Sequence, residues 1–142
     1  MLMVQSSSLL KKALAADAVV SGGVALLQVV ASASLSGLLM LPQALLFESG
    51  LFLVAYTLVL VTLARSARVA SAIVMLIVVG NIGWAVACVA LVAGNVVTPS
   101  TLGLAFLTVQ VVSVLAFAGL EWAGLRGSTV VASATDTARR TT

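Results

Sequence analysis

Histidine is absent from this 142-residue sequence, and cysteine and acidic residues are scarce. Without histidine, the chain lacks the commonest general base and the usual protein ligand of haem, zinc and copper. The single cysteine, Cys88, has no partner for an internal disulfide, and its place in an apolar run predicts a small buried side chain. Only four residues are acidic. These absences predict a protein that is not an enzyme and that holds no cofactor and no metal.

Charge is also scarce, and apolar residues take its place. Charged residues make up 8% of the chain and hydrophobic residues 62%. The mean hydropathy is +1.26, far from the composition of a soluble domain. We expect one all-α domain, a four-helix transmembrane bundle over 13–126, because the length accommodates four spans of about 20 residues. The predicted segments are a cytoplasmic N-terminal segment over 1–12, spans over about 13–38, 49–65, 69–93 and 99–125, and a mobile cytoplasmic tail over 127–142.

All seven basic residues fall on one side of this four-span arrangement. They lie before the first span, between the second and third, and after the fourth: Lys11, Lys12, Arg65, Arg68, Arg126, Arg139 and Arg140. Since short loops rich in Lys and Arg are retained in the cytoplasm, we expect a bacterial inner-membrane protein with both termini inside and with Glu48 and Asn95 outside. The net charge of +3 then reflects loops that orient the helices and touch anionic lipid, so membrane lipid and not nucleic acid is the expected partner.

A secretory signal is the alternative for the first span. Lys11 and Lys12, the apolar stretch after them and the small residues over 31–33 imitate its three regions. The apolar stretch is longer than the core of a usual signal, so we favour a membrane span.

Small residues four apart recur in the spans. The pairs are Ala33 with Gly37, Gly83 with Ala87, and Gly119 with Ala123. In lipid, where apolar side chains gain little by meeting each other, small residues let helix backbones approach closely. We expect these pairs to pack within a tight bundle; the alternative is that one such face forms a homodimer.

Each acid within a span shares its helix with an amide eleven residues away. Asp17 precedes Gln28 in the first span, and Gln110 precedes Glu121 in the fourth. Eleven residues are nearly three helical turns, so each pair lies on one face, about 16 Å apart along the axis. The two helices run in opposite directions. We therefore expect both acids toward the cytoplasmic end, close to each other, and both amides near the middle of the membrane.

Other polar side chains extend this pattern. Asn81 adds a third amide at the middle level, Trp84 adds an indole N–H one turn beyond it, and Ser21 follows the acid of the first span by one turn. Because hydrocarbon offers polar groups no partner, they predict a polar seam between helices 1, 3 and 4, in which at least two amides share a hydrogen bond or a water. The Tyr56 hydroxyl is expected to find its partner inside the bundle.

Two interpretations of the seam stay open. Its amides either fix the helix register through hydrogen bonds or line a small polar cavity for a ligand, a water file or an ion. Its acids are either paired with each other, with one carboxyl kept protonated as in proton relays, or compensated by basic residues. The basic residues considered are Lys11 and Lys12 for Asp17, and Arg65, Arg68 and Arg126 for Glu121.

Four short stretches of the spans are distinctive: ADAVV over 16–20, NIGW over 81–84, TPSTLG over 98–103 and GLR over 124–126, with Gln110 in the fourth span. Together they resemble stretches of short four-span integral membrane proteins of bacteria that carry no established activity. The resemblance covers helices 1, 3 and 4. It implies the fold and the location, and it assigns no catalytic or binding role to any residue.

The sequence therefore predicts a small, non-enzymatic integral membrane protein that acts through contacts with lipid or other membrane proteins. One alternative is a minimal transporter or channel that uses the polar seam, and a second is a binder of a lipid-soluble molecule such as a quinone. A dry, fully bonded seam would favour the first function and a continuous hydrated path the second. A lateral opening occupied by a tail-like molecule would favour the third.

Overall fold

The computed structural model describes residues 2–131 and contains four long helices. These are α1 (Ser8–Leu39), α2 (Gln43–Arg65), α3 (Ser71–Ala93) and α4 (Thr101–Arg126). Each is long and apolar enough to cross a membrane. The predicted all-α fold, a four-helix bundle, is confirmed.

The helix ends are set by local capping and differ in places from the predicted spans. The Ser7 side chain accepts a hydrogen bond from the backbone N–H of Leu10, so α1 begins several residues before the predicted start. Ser100 caps α4 in the same way, immediately after Pro99. α2 is continuous from Gln43 and so begins six residues before the predicted second span.

A small antiparallel sheet lies at one end of the bundle. Its strands are β1 (Met3–Gln5), β2 (Arg68–Ala70) and β3 (Thr129–Val130), with β1 in the centre. We call this the terminal end and the opposite one the far end. The predicted segments before the first span and after the fourth thus contain the strands β1 and β3. These strands form because backbone groups that leave the bundle next to each other can hydrogen-bond to one another. The rest of the predicted tail, 132–142, lies outside the described residues.

The helices do not close into a complete ring. α1 packs against both α2 and α4, and α4 packs against α3, whereas α2 and α3 do not pack closely. One buried apolar cluster lies near the terminal end and includes Val4, Leu10, Leu14, Leu60 and Val74. A second lies near the far end and includes Leu39, Leu46, Leu107 and Cys88, whose predicted burial is confirmed. The polar residues lie between these two apolar clusters.

The glycines that allow close helix contacts are not those singled out by spacing. A Cβ added at Gly124 would lie 2.7 Å from the α1 backbone, and one at Gly50 would lie 2.9 Å from an α1 side chain. At Gly37, Gly83 and Gly119 a Cβ would meet no atom of the described structure within 4 Å. The expectation that these three pack within the bundle is wrong, because spacing shows which residues share a face and not which face turns inward.

Candidate functional site

Four of the predicted site residues meet in one cluster, together with a tyrosine. We call it the acid–amide cluster; its members are Asp17, Ser21, Tyr56, Asn81 and Glu121. Asp17 and Glu121 are both 0% exposed, so every polar contact of these carboxylates is made inside the protein. The two acids are brought together as their spacing suggested.

One amide bridges the two carboxylates. Asn81 Nδ2 donates to Asp17 Oδ2 at 3.3 Å and to Glu121 Oε2 at 3.2 Å. Because both oxygens lie within 3.3 Å of one nitrogen, their separation is at most about twice that distance. Asp17 also accepts from Ser21 Oγ at 2.7 Å and from the Tyr56 hydroxyl at 2.9 Å. The Tyr56 oxygen lies 3.1 Å from Asn81 Oδ1, its alternative acceptor.

The level of Asn81 corrects the expected two-layer seam. It lies in the acid layer and not in a separate middle layer with the glutamines. The helix starts explain this: Asp17 is nine residues into α1 and Asn81 is ten residues into α3, so both lie about 14 Å from the helix ends. The predicted spans had placed the start of α1 too late and that of α3 too early.

The two glutamines find separate partners, so the expected direct hydrogen bond between two amides is not made within residues 2–131, and a water shared by two amides stays a prediction. Gln28 Oε1 accepts from Ser49 Oγ of α2 at 3.2 Å. Gln110 Oε1 accepts from the Trp84 indole N–H at 3.0 Å. Each glutamine is nonetheless buried, at 2% exposed for Gln28 and 9% for Gln110. All three amides face the bundle, but a serine or an indole supplied by a neighbouring helix is nearer than another amide.

The hydrogen-bond partners of the acids are all uncharged. Within residues 2–131 they are a serine hydroxyl, a phenol and an amide, and no Lys or Arg side chain is among them. Arg126, considered for Glu121, instead places its guanidinium 4.7 Å from the centroid of the Trp122 ring. Glu121 Oε1 is buried and has no hydrogen-bond partner among the described residues. The compensation by basic residues that was considered at sequence level is therefore not made through direct contacts.

A cavity of about 500 Å³ adjoins the acid–amide cluster, a volume in the range of small-molecule sites. Its walls come from all four helices and are mainly apolar. The polar side chains that line it are Asp17, Ser21, Tyr56, Asn81, Trp84, Gln110 and Ser113. Glu121 is not among the lining residues.

The cavity opens sideways. Phe52, Val59 and Leu76 line it and are also exposed on the outer surface of α2 and α3. This is the side where α2 and α3 do not pack closely. The Phe52 ring bridges the two helices, stacked on Trp84 with ring centroids 5.8 Å apart. The opening thus faces the region that lipid chains occupy around a spanning bundle.

Gln110 has hydrogen-bonding capacity left at this cavity. Its Oε1 is held by the Trp84 indole, which fixes the orientation of the amide. Its Nε2 makes no hydrogen bond within the part of the chain that the structure describes. The Gln110 side chain therefore offers a hydrogen-bond donor at the wall of this mainly apolar cavity.

Several residues of the site were missed by sequence reasoning. Tyr56 was expected only to be satisfied inside the bundle, but it joins α2 to a seam predicted between helices 1, 3 and 4. Ser49, Phe52 and Ser113 carried no signal, since an isolated serine or phenylalanine in an apolar span is unremarkable.

The fold and the site define a small multi-pass membrane protein with a buried polar cluster beside a lateral cavity. Comparison with protein-family models, with curated proteins and with solved structures finds no match to the chain. The function of the chain is therefore inferred from the geometry of the acid–amide cluster and the adjoining cavity.

Proposed function

We propose that the protein is a non-enzymatic binder of a lipid-soluble molecule that enters the cavity from the membrane. The observation that carries this is the lateral, mainly apolar cavity of about 500 Å³ that is lined in part by polar side chains, Gln110 among them. Apolar walls suit a ring or chain that partitions into lipid. The fixed Gln110 amide offers its Nε2 donor to an acceptor oxygen. A quinone carbonyl has this chemistry.

The same geometry gives less support to the other two functions. A scaffold would be expected to have a dry, fully bonded seam, whereas here a cavity adjoins the polar cluster and one acid oxygen is unpaired. A transporter or channel needs a path toward both membrane faces. The cluster instead lies between two apolar clusters, one near each end of the bundle. Entry from the lipid is the route that the packing leaves open.

The membrane placement is part of the proposal. We assign the protein to a bacterial inner membrane with both termini in the cytoplasm. The five basic residues of the described chain support this orientation, because all of them lie toward the terminal end: Lys11, Lys12, Arg65, Arg68 and Arg126. Lipid is the assigned partner. The outward-facing glycines of α1, α3 and α4 leave room for a second copy as a further partner.

Tryptophan fluorescence can test the cavity directly, since the chain has two tryptophans and only Trp84 lines it. In a Trp122→Phe background, decylubiquinone added to protein in lipid nanodiscs should quench Trp84 to saturation. Collisional quenching that rises linearly without saturation would contradict a site. In a second measurement, brominated lipid replaces the ordinary lipid of the nanodiscs. If it quenches Trp84 and added quinone does not reduce that quenching, an acyl chain occupies the cavity and the assigned ligand class is refuted.

Two matched glycines of α3 provide the variants. Gly80 lines the cavity and Gly83 does not, and a Cβ at either position meets no described atom within 4 Å. Gly80→Phe should fill the cavity and weaken quinone binding by about tenfold or more, equivalent to about 1.4 kcal/mol. Gly83→Phe should leave binding unchanged. Equal affinity of the two variants would refute binding in this cavity.

A further inference from the structure

The acid–amide cluster contains two carboxyl groups that face each other without a neutralising charge. Asp17 and Glu121 are each 0% exposed, and both accept a hydrogen bond from the same Asn81 amide nitrogen. Two ionised carboxylates in this position would place two negative charges in a medium of low dielectric constant. Each buried ion would lose its hydration with no opposite charge nearby to offset that loss.

The charged and titratable groups around Glu121 offer no compensation. The groups that face it are Asp17 from α1, Tyr56 from α2 and the uncharged Asn81 from α3. On its own helix, Arg126 lies over the Trp122 ring.

Counting hydrogens shows where one is missing. The cluster has four polar hydrogens to donate: one on Ser21, one on Tyr56 and two on Asn81 Nδ2. The first two lie against Asp17, and those of Asn81 lie between both acids. No hydrogen is left for Glu121 Oε1, which is buried without a partner. A buried acceptor oxygen without a donor costs free energy because it has lost its bonds to water. Protonation of this oxygen would remove the unsatisfied charge.

We infer that Asp17 and Glu121 form a proton-binding site that holds one proton, carried by Glu121. The proton turns the unpaired Oε1 into a hydroxyl and removes one of the two buried charges. Glu121 is the acid that carries it because Asp17 accepts three hydrogen bonds, from Ser21, Tyr56 and Asn81, whereas Glu121 accepts one among the described residues. This site is independent of whether a ligand binds in the adjoining cavity.

Infrared spectroscopy of the whole protein in nanodiscs tests the inference, because the chain has only four acids, Asp17, Glu48, Glu121 and Asp136. At neutral pH we expect one protonated-carboxyl C=O band. It should disappear in Glu121→Gln and persist in Glu48→Gln, which changes an exposed acid. Absence of the band in the parent protein, or its persistence in Glu121→Gln, would overturn the inference.

Isotope labelling gives the same answer without a substitution. Glutamate labelled with carbon-13 marks only Glu48 and Glu121, and labelled aspartate marks only Asp17 and Asp136. The band should shift to lower frequency with labelled glutamate and stay in place with labelled aspartate. A shift of the band with labelled aspartate instead would place the proton on an aspartate and would refute its placement on Glu121.

Discussion

Replacing Asn81 with leucine should show how far the bundle depends on the bridging amide. Leucine has a similar size but no polar atom, so Asn81→Leu removes both hydrogen bonds from Nδ2, at 3.3 Å to Asp17 and 3.2 Å to Glu121. Glu121 would then keep no described partner, because its other oxygen already has none. Asp17 would retain Ser21 and Tyr56.

The expected loss follows from these contacts. Interhelical hydrogen bonds in membranes average about 0.6 kcal/mol and reach about 1.7 kcal/mol. Two of them therefore account for about 1–3 kcal/mol. Leaving a buried acid without partners adds about 1–3 kcal/mol more. Since lipid gives a new leucine little hydrophobic gain, we expect the free energy of unfolding to fall by about 2–6 kcal/mol.

Unfolding by sodium dodecyl sulfate, followed by circular dichroism, measures this change. Gly83→Leu is the control, because it places the same side chain on the same helix. At this position an added Cβ meets no described atom within 4 Å. The double variant Asn81→Leu/Glu121→Leu should recover part of the loss, since removing both partners of a buried pair leaves no unsatisfied group. Unchanged stability of Asn81→Leu, or a double variant less stable than the single one, would refute the bridging role.

Two further outcomes are expected. Gly124→Ala should lower the free energy of unfolding by about 1–3 kcal/mol, because its Cβ would lie 2.7 Å from Leu10 Cα. At Gly119 an added Cβ meets no described atom within 4 Å, so Gly119→Ala should be neutral or stabilising by up to about 1 kcal/mol. Equal stability of the two variants would contradict the close α1–α4 contact. With the native cysteine replaced by alanine, a membrane-impermeant maleimide applied to intact cells should label Glu48→Cys and spare Arg65→Cys, and the reverse pattern would invert the orientation.

The class of fold could be predicted from the sequence because lipid restricts the solutions. A chain with 62% hydrophobic residues and four long apolar runs must satisfy its backbone within helices. The approach of Asp17 to Glu121 was also predictable. The equal spacing of each acid from a glutamine, on two antiparallel helices, places the two acids toward the same end.

The pairing of individual side chains was decided only by the tertiary structure. Each residue turns a helix by 100° and advances it by about 1.5 Å, so small errors in a helix start or rotation exchange one partner for another. Asn81 therefore bridges the acids instead of meeting a glutamine, and Tyr56 brings α2 into the cluster.

The cavity, the sheet and the glycines at helix contacts were likewise decided only by the tertiary structure. The helices are apolar on nearly all faces, so the pattern of hydrophobic residues does not show which side of each turns inward. Composition determined that this chain crosses a membrane and that its few polar groups seek partners inside. The rotation and offset of the helices decided which partners they found, and that α2 and α3 remained apart beside the acid–amide cluster.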